Sequence, residues 1–370
     1  MIPVFKPSFG EEELEALRAL FKTGWIGLGP RTNEFEKRFA EYIGTKYAVA
    51  LNSGTAALHL ALKVLGIENM EVITTPMTFV STNHAILYNQ GIPVFVDIEP
   101  DTLNINAIEI RRNIGQKTKA IIVVHYGGHS CNMDPILEMA KDEKIAVVED
   151  VAHGCGGEYK GRKLGSLGDI GCFSFHAVKN LSTGDGGMIT TNDGALYSRL
   201  MKLRWMGITK DTWSREEKDK RYSWYYNVEE VGFKYHMNDI QATLGLVQLK
   251  KLDKMNYRRK EISERYNKNF IGLKWLEIPT VKPYANPSYH NYVVKLEKRD
   301  QLNLFLQEKE ISTGVHYVPN NHYEMYRMFR GDTPVANSIW KRLLTLPLFP
   351  DLRDEEVELI SHEVKEFERR

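Results

Sequence analysis

The chain reads as an α/β protein: a large domain around a mostly parallel sheet, residues 1–250, followed by a smaller α+β domain, residues 251–370. Three observations predict this. Short apolar runs alternate with helical-period segments through the first part of the chain, the pattern of βαβ units. Near residue 250 the alternation gives way to a long helical stretch and a different mixture of elements. And 370 residues, at about 150 per domain, suggest two or three domains.

Residues 11–22 place Leu14, Leu17, Leu20 and Phe21 near helical spacing and read as an amphipathic helix. Residues 23–30 are a glycine-rich loop, and residues 34–43 a second helix stopped by Gly44. Residues 47–51 are a short apolar strand, which Ser53-Gly54-Thr55 turns into a helix at 56–65 ending before Gly66. Strands follow at 71–75, 94–98, 120–125 and 145–150, with helices at 79–88 and 133–142 between them. Two more strands are expected at 169–175 and 187–191. Such a sheet binds ligands at its strand C-termini, where Ser53, Asp150 and Ser174 fall. Residues 210–222 are charged and poor in aliphatics, an exposed loop; Trp224-Tyr225-Tyr226 end it and could fold it over a pocket. A helical pattern returns over 237–270, then a strand at 292–296 and helices at 300–308 and 355–367.

Composition narrows the function classes. Lys+Arg 49 against Asp+Glu 48 gives no general drive toward nucleic acid or acidic membranes. The three cysteines, Cys131, Cys155 and Cys172, are odd in number and lack CxxC spacing, so neither a disulfide framework nor a zinc site is expected, and a reducing, cytoplasmic compartment is the simpler reading. The first residues lack a long apolar h-region, so no signal peptide is expected. No stretch of ~18 consecutive apolar residues offers a membrane span.

Lys179 lies between the expected strand end at Ser174 and the run Gly184-Asp185-Gly186-Gly187. Asp150 closes an apolar strand, and Ser53-Gly54-Thr55 opens a helix. Each has a bland reading alone: a solvated lysine, a capping aspartate, a plain N-cap. Together they suit pyridoxal phosphate, with an amine for its aldehyde, a carboxylate for its protonated pyridine nitrogen, and free N–H groups at a helix start for its phosphate. A lysine that attacks an aldehyde must be partly neutral, which burial or a nearby cation brings about. The turn is neither a GxGxxG nor a GxxxxGK[ST] loop, which removes the familiar dinucleotide and NTP readings.

Several ordered motifs then carry a resemblance. They are Gly24-Trp25 with Gly29-Pro30, Asn52-Ser53-Gly54-Thr55-Ala56-Ala57-Leu58, Pro76-Met77-Thr78-Phe79, Glu149-Asp150 with Ala152-His153, Ser174-Phe175-His176 with Lys179-Asn180, Thr183-Gly184-Asp185-Gly186-Gly187, and the run from Gly232 to Ala242. Almost end to end the chain resembles the sugar aminotransferases of the DegT/DnrJ/EryC1/StrS family, of PLP-dependent fold type I. The resemblance implies a seven-stranded sheet, pyridoxal 5'-phosphate as cofactor and a homodimer with shared active sites. It implies Lys179 as the residue bonded to the cofactor and Asp150 at the pyridine nitrogen. His153 would stand near the phenolic oxygen and Phe79 would stack on the ring. Thr55 and Ala56, by N–H or hydroxyl, and Ser174, by Oγ, would hold the phosphate.

The run Gly232-Phe233-Lys234-Tyr235-His236 departs from the family pattern, which has Asn where Lys234 stands and Arg where His236 stands. The family's Asn reaches the phosphate across the dimer interface; a lysine could meet it as a point charge. His316-Tyr317-Val318-Pro319 resembles the family's stretch near the nucleotide-sugar site, so Trp25, His316 and Tyr317 are candidate substrate contacts. The reaction implied moves an amino group from L-glutamate, leaving 2-oxoglutarate, to a nucleotide-linked keto-sugar; Lys234 suggests C4 of a UDP-linked 4-keto sugar. Alternatives are C3 amination of a dTDP- or GDP-keto-sugar, cyclitol amination, sugar dehydration, or a non-catalytic regulatory protein. Family dehydratases that avoid the lysine chemistry carry His at this position, so Lys179 argues against them.

Overall fold

A computed structural model describes residues 1–209, 226–329 and 331–368. A seven-stranded sheet forms its centre. In chain order its strands are β1 (Tyr47–Leu51), β2 (Glu71–Thr74), β3 (Ile92–Phe95), β4 (Thr118–Val124) and β5 (Ala146–Asp150). After a small hairpin, β6 (Glu158–Tyr159) and β7 (Arg162–Lys163), come β8 (Ile170–Ser174) and β9 (Gly187–Thr191). The spatial order is β1-β9-β8-β5-β4-β2-β3. β9 is antiparallel to both neighbours, and the other pairings are parallel.

The sheet is buried on both faces, which is why its strands read as apolar runs rather than alternations. Ile121 and Val147 enter one core with Phe35, Phe39 and Phe173. Their neighbours Ile122 and Val148 enter the opposite core with Leu58, Leu62 and Ile189. The period of two sends successive side chains to opposite faces.

Six parallel strands bring the C-termini of β1, β5 and β8 to one edge. There β1 passes through Ser53 into helix α3 (Gly54–Leu65), counting α1 (Glu11–Thr23) and α2 (Pro30–Ile43) before it. Ser53 is its N-cap, with Oγ accepting from Ala56 N at 3.0 Å, and Gly66 ends it in the left-handed region.

Several boundaries differ from the sequence expectation. β3 lies at 92–95 rather than 94–98, because the Asp97 carboxylate instead accepts from Val335 N and Ala336 N. Pro93 within it is tolerated because β3 is an edge strand. α2 begins at Pro30, four residues early, with proline in the first turn where no N–H is needed. Helix α4 (Val80–Tyr88) starts after Phe79, whose backbone is extended. In α1, Leu20 is buried while Leu14 and Phe21 are 56% exposed. The helix docks instead through buried Glu13, paired with Lys251 and Gln248.

Helices α5 (Ala107–Asn113), α6 (Met133–Glu143) and α7 (Gly194–Leu203) complete this part. The unbroken helix Asp239–Phe270 then runs from the first core to a third, which gathers Ile262, Tyr266, Leu302, Leu344 and Ile360. In that layer β11 (Tyr292–Lys295), counting β10 (Ala285–Asn286) before it, pairs antiparallel with β12 (Leu343–Leu346). The N-terminal segment lies across it: Ile2 bridges Ile311, and Val4 O accepts from Leu348 N at 3.0 Å. The expected loop 210–222 and Trp224-Tyr225 lie outside the described residues. No helix among the described residues is long and apolar enough to cross a membrane.

Candidate active site

A cavity of about 390 Å³ opens at the shared strand-end edge, within the size range of small-molecule sites. Thr55, Phe79, Asp150, His153, Ser174, Lys179, His316 and Tyr317 all line it. Trp25, Ala56 and Lys234 do not.

Asp150, at the end of β5, is 3% exposed. Thr82 Oγ1 donates to its Oδ2 at 2.7 Å, and Ala152 N donates to its Oδ1 at 3.1 Å. Thr82 is held in turn by Thr78 at 2.8 Å. Burial still pushes the carboxyl above its ordinary range, although these two bonds and the charges of Lys179 and His125 oppose it. A buried carboxylate in that condition suits a cationic partner, as a protonated pyridine nitrogen would be.

Lys179 follows β8 in the loop leading to β9 and is partly exposed, into the cavity. Burial brings its ammonium from the ordinary 10.5 down to about 8, against the pull of Asp150. Its amine is therefore neutral in a useful fraction of molecules near neutral pH, as a nucleophile or general base requires.

The helix start supplies an anion site. The N–H groups of Gly54 and Thr55 belong to a first turn, where the helix offers no carbonyl for them. The Ala56 N–H, expected from sequence to be a phosphate donor, is already engaged by Ser53 Oγ. Gly54, not Ala56, lines the cavity. A Cβ on Gly54 would sit 2.8 Å from Ser174 Cβ, so glycine lets the helix start and the end of β8 close on one point. Ser174 Oγ accepts from His176 N at 3.4 Å, leaving its own proton for an anion. Buried carboxylate, lowered amine and anion cradle in one cavity fit pyridoxal phosphate.

His153 Nδ1 accepts from Gly127 N at 3.3 Å, so Nε2 carries the proton and donates to Tyr317 Oη at 3.0 Å. Burial, Lys179 and His316 hold this imidazole well below its ordinary range, hence neutral. His316 bonds Thr345 Oγ1 through Nδ1 at 2.8 Å, and its carbonyl accepts from the Tyr126 hydroxyl. Phe79 is 58% exposed at the cavity mouth, its ring 6.4 Å from that of Tyr317.

The remaining candidates sit elsewhere. Trp25 Nε1 donates to Leu28 O at 3.1 Å inside its own loop. Lys234 is exposed, its ammonium 3.6 Å above the Trp205 ring centroid, while Asn52 Nδ2 donates to its carbonyl at 3.3 Å.

Sequence reasoning missed Thr78 and Thr82. Their spacing of four on a helix start was a usable signal. It also missed the support beneath Asp150. Glu149, fully buried, accepts from His125 Nε2 at 3.0 Å, Gly165 N at 2.9 Å, and Leu167 N and Gly168 N at 2.7 Å each. These bonds fasten the loop before β8 to the end of β5.

Comparison with known proteins gives the family and the fold. The chain is 40% identical over 377 residues to the spore coat polysaccharide biosynthesis protein SpsC of Bacillus subtilis, covering 99% of this chain and 96% of that one. Its fold is similar to the aminotransferase TlmJ from Streptoalloteichus hindustanus, with TM-score 0.94, 35% identity, and coverage of 100% and 99%. It is equally similar to the putative sugar aminotransferase Spr1654 from Streptococcus pneumoniae in its PMP form, with TM-score 0.94, 32% identity and the same coverage. A family model, the DegT/DnrJ/EryC1/StrS aminotransferase family, matches residues 7–365. By fold, by match along nearly its whole length and by the lysine chemistry its cavity can perform, the chain belongs to that family and is a PLP-dependent aminotransferase.

Proposed function

We propose that this enzyme moves an amino group from L-glutamate to a nucleotide-linked keto-sugar, at C4 of a UDP-linked 4-keto sugar. The observation that carries the chemistry is Lys179, its amine lowered to about 8, in one cavity with buried Asp150. When bound, pyridoxal phosphate supplies an aldehyde carbon that carries the amino group and a ring that takes up electrons. Asp150 holds the proton on the ring nitrogen through its carboxylate. Lys179 Nζ accepts and returns the proton that moves at the reacting carbon in both halves of the exchange. Gly54 and Thr55 N–H with Ser174 Oγ would hold the phosphate, Phe79 would cover the ring face, and His153 would stand near the ring oxygen with its Nε2 proton on Tyr317 Oη.

The sugar reading is supported by relatives named for polysaccharide biosynthesis and sugar amination. His316 and Tyr317 are offered to the sugar, and Trp25 to sugar or base. The UDP and C4 assignments rest on Lys234, whose ammonium stands exposed beside Trp205. In this reading the enzyme is a homodimer, and Lys234 meets the phosphate in the other subunit. Exposed Leu14 and Phe21, seven residues apart on α1, support a surface that a second copy covers. The division at residue 250 puts cofactor groups on one domain and the sugar contacts His316 and Tyr317 on the other.

The test is purified enzyme with L-glutamate and a panel of UDP-, dTDP- and GDP-linked keto-sugars, read by mass of the sugar product. Amination of a UDP-4-keto sugar is expected. Preference for a dTDP- or GDP-linked 3-keto sugar overturns the substrate and leaves the amino transfer standing. No visible-absorbance response to glutamate overturns the assignment of the site.

A further inference from the structure

Four rings stand in a column beside the cavity. Phe5 lies flat on His290, with centroids 5.3 Å apart and 4° between planes. His290 lies on His153 at 4.4 Å and 28°, and His153 on Tyr317 at 6.0 Å and 17°. The last two members, His153 and Tyr317, line the cavity. His290 does not, and it is 2% exposed.

Hydrogen bonds fix the His290 tautomer. Asn180 Nδ2 donates to Asn256 Oδ1 at 2.8 Å and to Ser288 O at 2.7 Å. Its Oδ1 is therefore the acceptor, and His290 Nδ1, 2.9 Å away, is the donor. Asn180 is the residue after Lys179. One imidazole thus stacks on His153 and holds the neighbour of the reacting lysine. The same segment is tied twice more: Ser288 Oγ donates to His153 O at 2.6 Å, and His290 N donates to Gly127 O at 3.0 Å. Gly127 N is itself the donor to His153 Nδ1.

We propose that His290 is a positioning residue for amino transfer, setting the ring plane of His153 and the seat of Lys179 as one unit. His153 is held at its ring edge by Gly127 N and Tyr317 Oη. The flat contact with His290 packs one face of the ring and resists its tilting out of the plane that those bonds and its Cβ set. Burial, His153 and Lys179 hold His290 well below its ordinary range. A neutral ring supports His153 without adding a second positive charge beside the lysine. Phe5, on the outer face of His290, brings the N-terminal segment into the same arrangement. The inference rests on Lys179 being the reacting amine.

Three variants test it. His290→Phe keeps the ring and loses the donor. His290→Asn keeps a short donor and loses the ring. Phe5→Ala removes the far end of the column, and with it an edge contact with His316. The first readout is the pH midpoint for labelling of Lys179 in the apoprotein by fluorodinitrobenzene, followed by peptide mass. The second is kcat and KM for L-glutamate in the holoenzyme. Misplacement by a fraction of an ångström should lower kcat about tenfold in His290→Phe and His290→Asn, with KM moving less than about twofold. The labelling midpoint should rise in both as water reaches the amine, and Phe5→Ala should give a smaller change of the same kind. Folded His290 variants with wild-type kcat and midpoint overturn the proposal. If neither folds, wild-type values in Phe5→Ala overturn it. A wild-type midpoint at the ordinary 10.5 overturns the reading of Lys179 instead.

Discussion

Lys179→Met in the apoprotein isolates the cost of holding the lysine in its cavity. Folding brings its pKa from the ordinary 10.5 down to about 8. At about 1.4 kcal/mol per unit the charged form is disfavoured by roughly 3 kcal/mol. The sign follows from proton counting. Between those two values the unfolded chain binds the proton and the folded chain does not, so stability rises with pH across that window. At pH 7 both states are protonated and the full penalty is present; well above 10.5 it has gone. Lys179→Met removes the titration, and with it the charge that favours ionised Asp150 and disfavours protonated His153 and His290. Urea unfolding of both proteins at pH 7 and 9.5 should therefore show the variant's advantage shrinking by about 2 kcal/mol at the higher pH, whatever its starting size. A pH-independent gap would mean that Lys179 titrates as a solvated lysine, and the burial argument for its reactivity would fail. Loaded with cofactor, the same variant should have no amino-transfer activity above the uncatalysed rate.

Asp150→Asn should lower turnover by at least ~100-fold, because an amide cannot keep the ring-nitrogen proton in place; turnover and visible spectrum near wild type would count against that role. Glu149→Gln should destabilise the fold by about 3 kcal/mol in chemical denaturation, since an amide has only one acceptor atom for the four donors converging on this buried carboxylate. A loss below about 1 kcal/mol would mean that those donors find other partners. Lys234→Ala should raise the cofactor dissociation constant severalfold in equilibrium dialysis if the lysine reaches the phosphate of a second subunit; unchanged retention removes it from the site.

What could be read ahead from the sequence follows from how far each signal travels along the chain. The strands of the sheet were legible because burial on both faces makes them short apolar runs, and Ser53, Asp150 and Ser174 were legible because they end such runs. Helix α7 was missed although Asp193 announces it, its Oδ1 accepting from Ala195 N and Leu196 N. β12 was missed because four residues, Leu343–Leu346, carry no period, and only its partner β11 makes them a strand. β3 was displaced because Asp97 is drawn to the N–H groups of Val335 and Ala336, a contact no local pattern records. The site divides in the same way. Groups that meet the cofactor sit on local punctuation, a strand end or helix start, where chemistry and chain geometry coincide. Groups that aim them are joined by contacts between remote residues: Thr82 to Asp150, Glu149 to the loop at 165–168, His290 to both His153 and Asn180. An imidazole that works by stacking and by one N–H needs no motif around it, only neighbours the fold delivers. A site inventory drawn from motifs will therefore find the reacting groups and omit those that hold them in place.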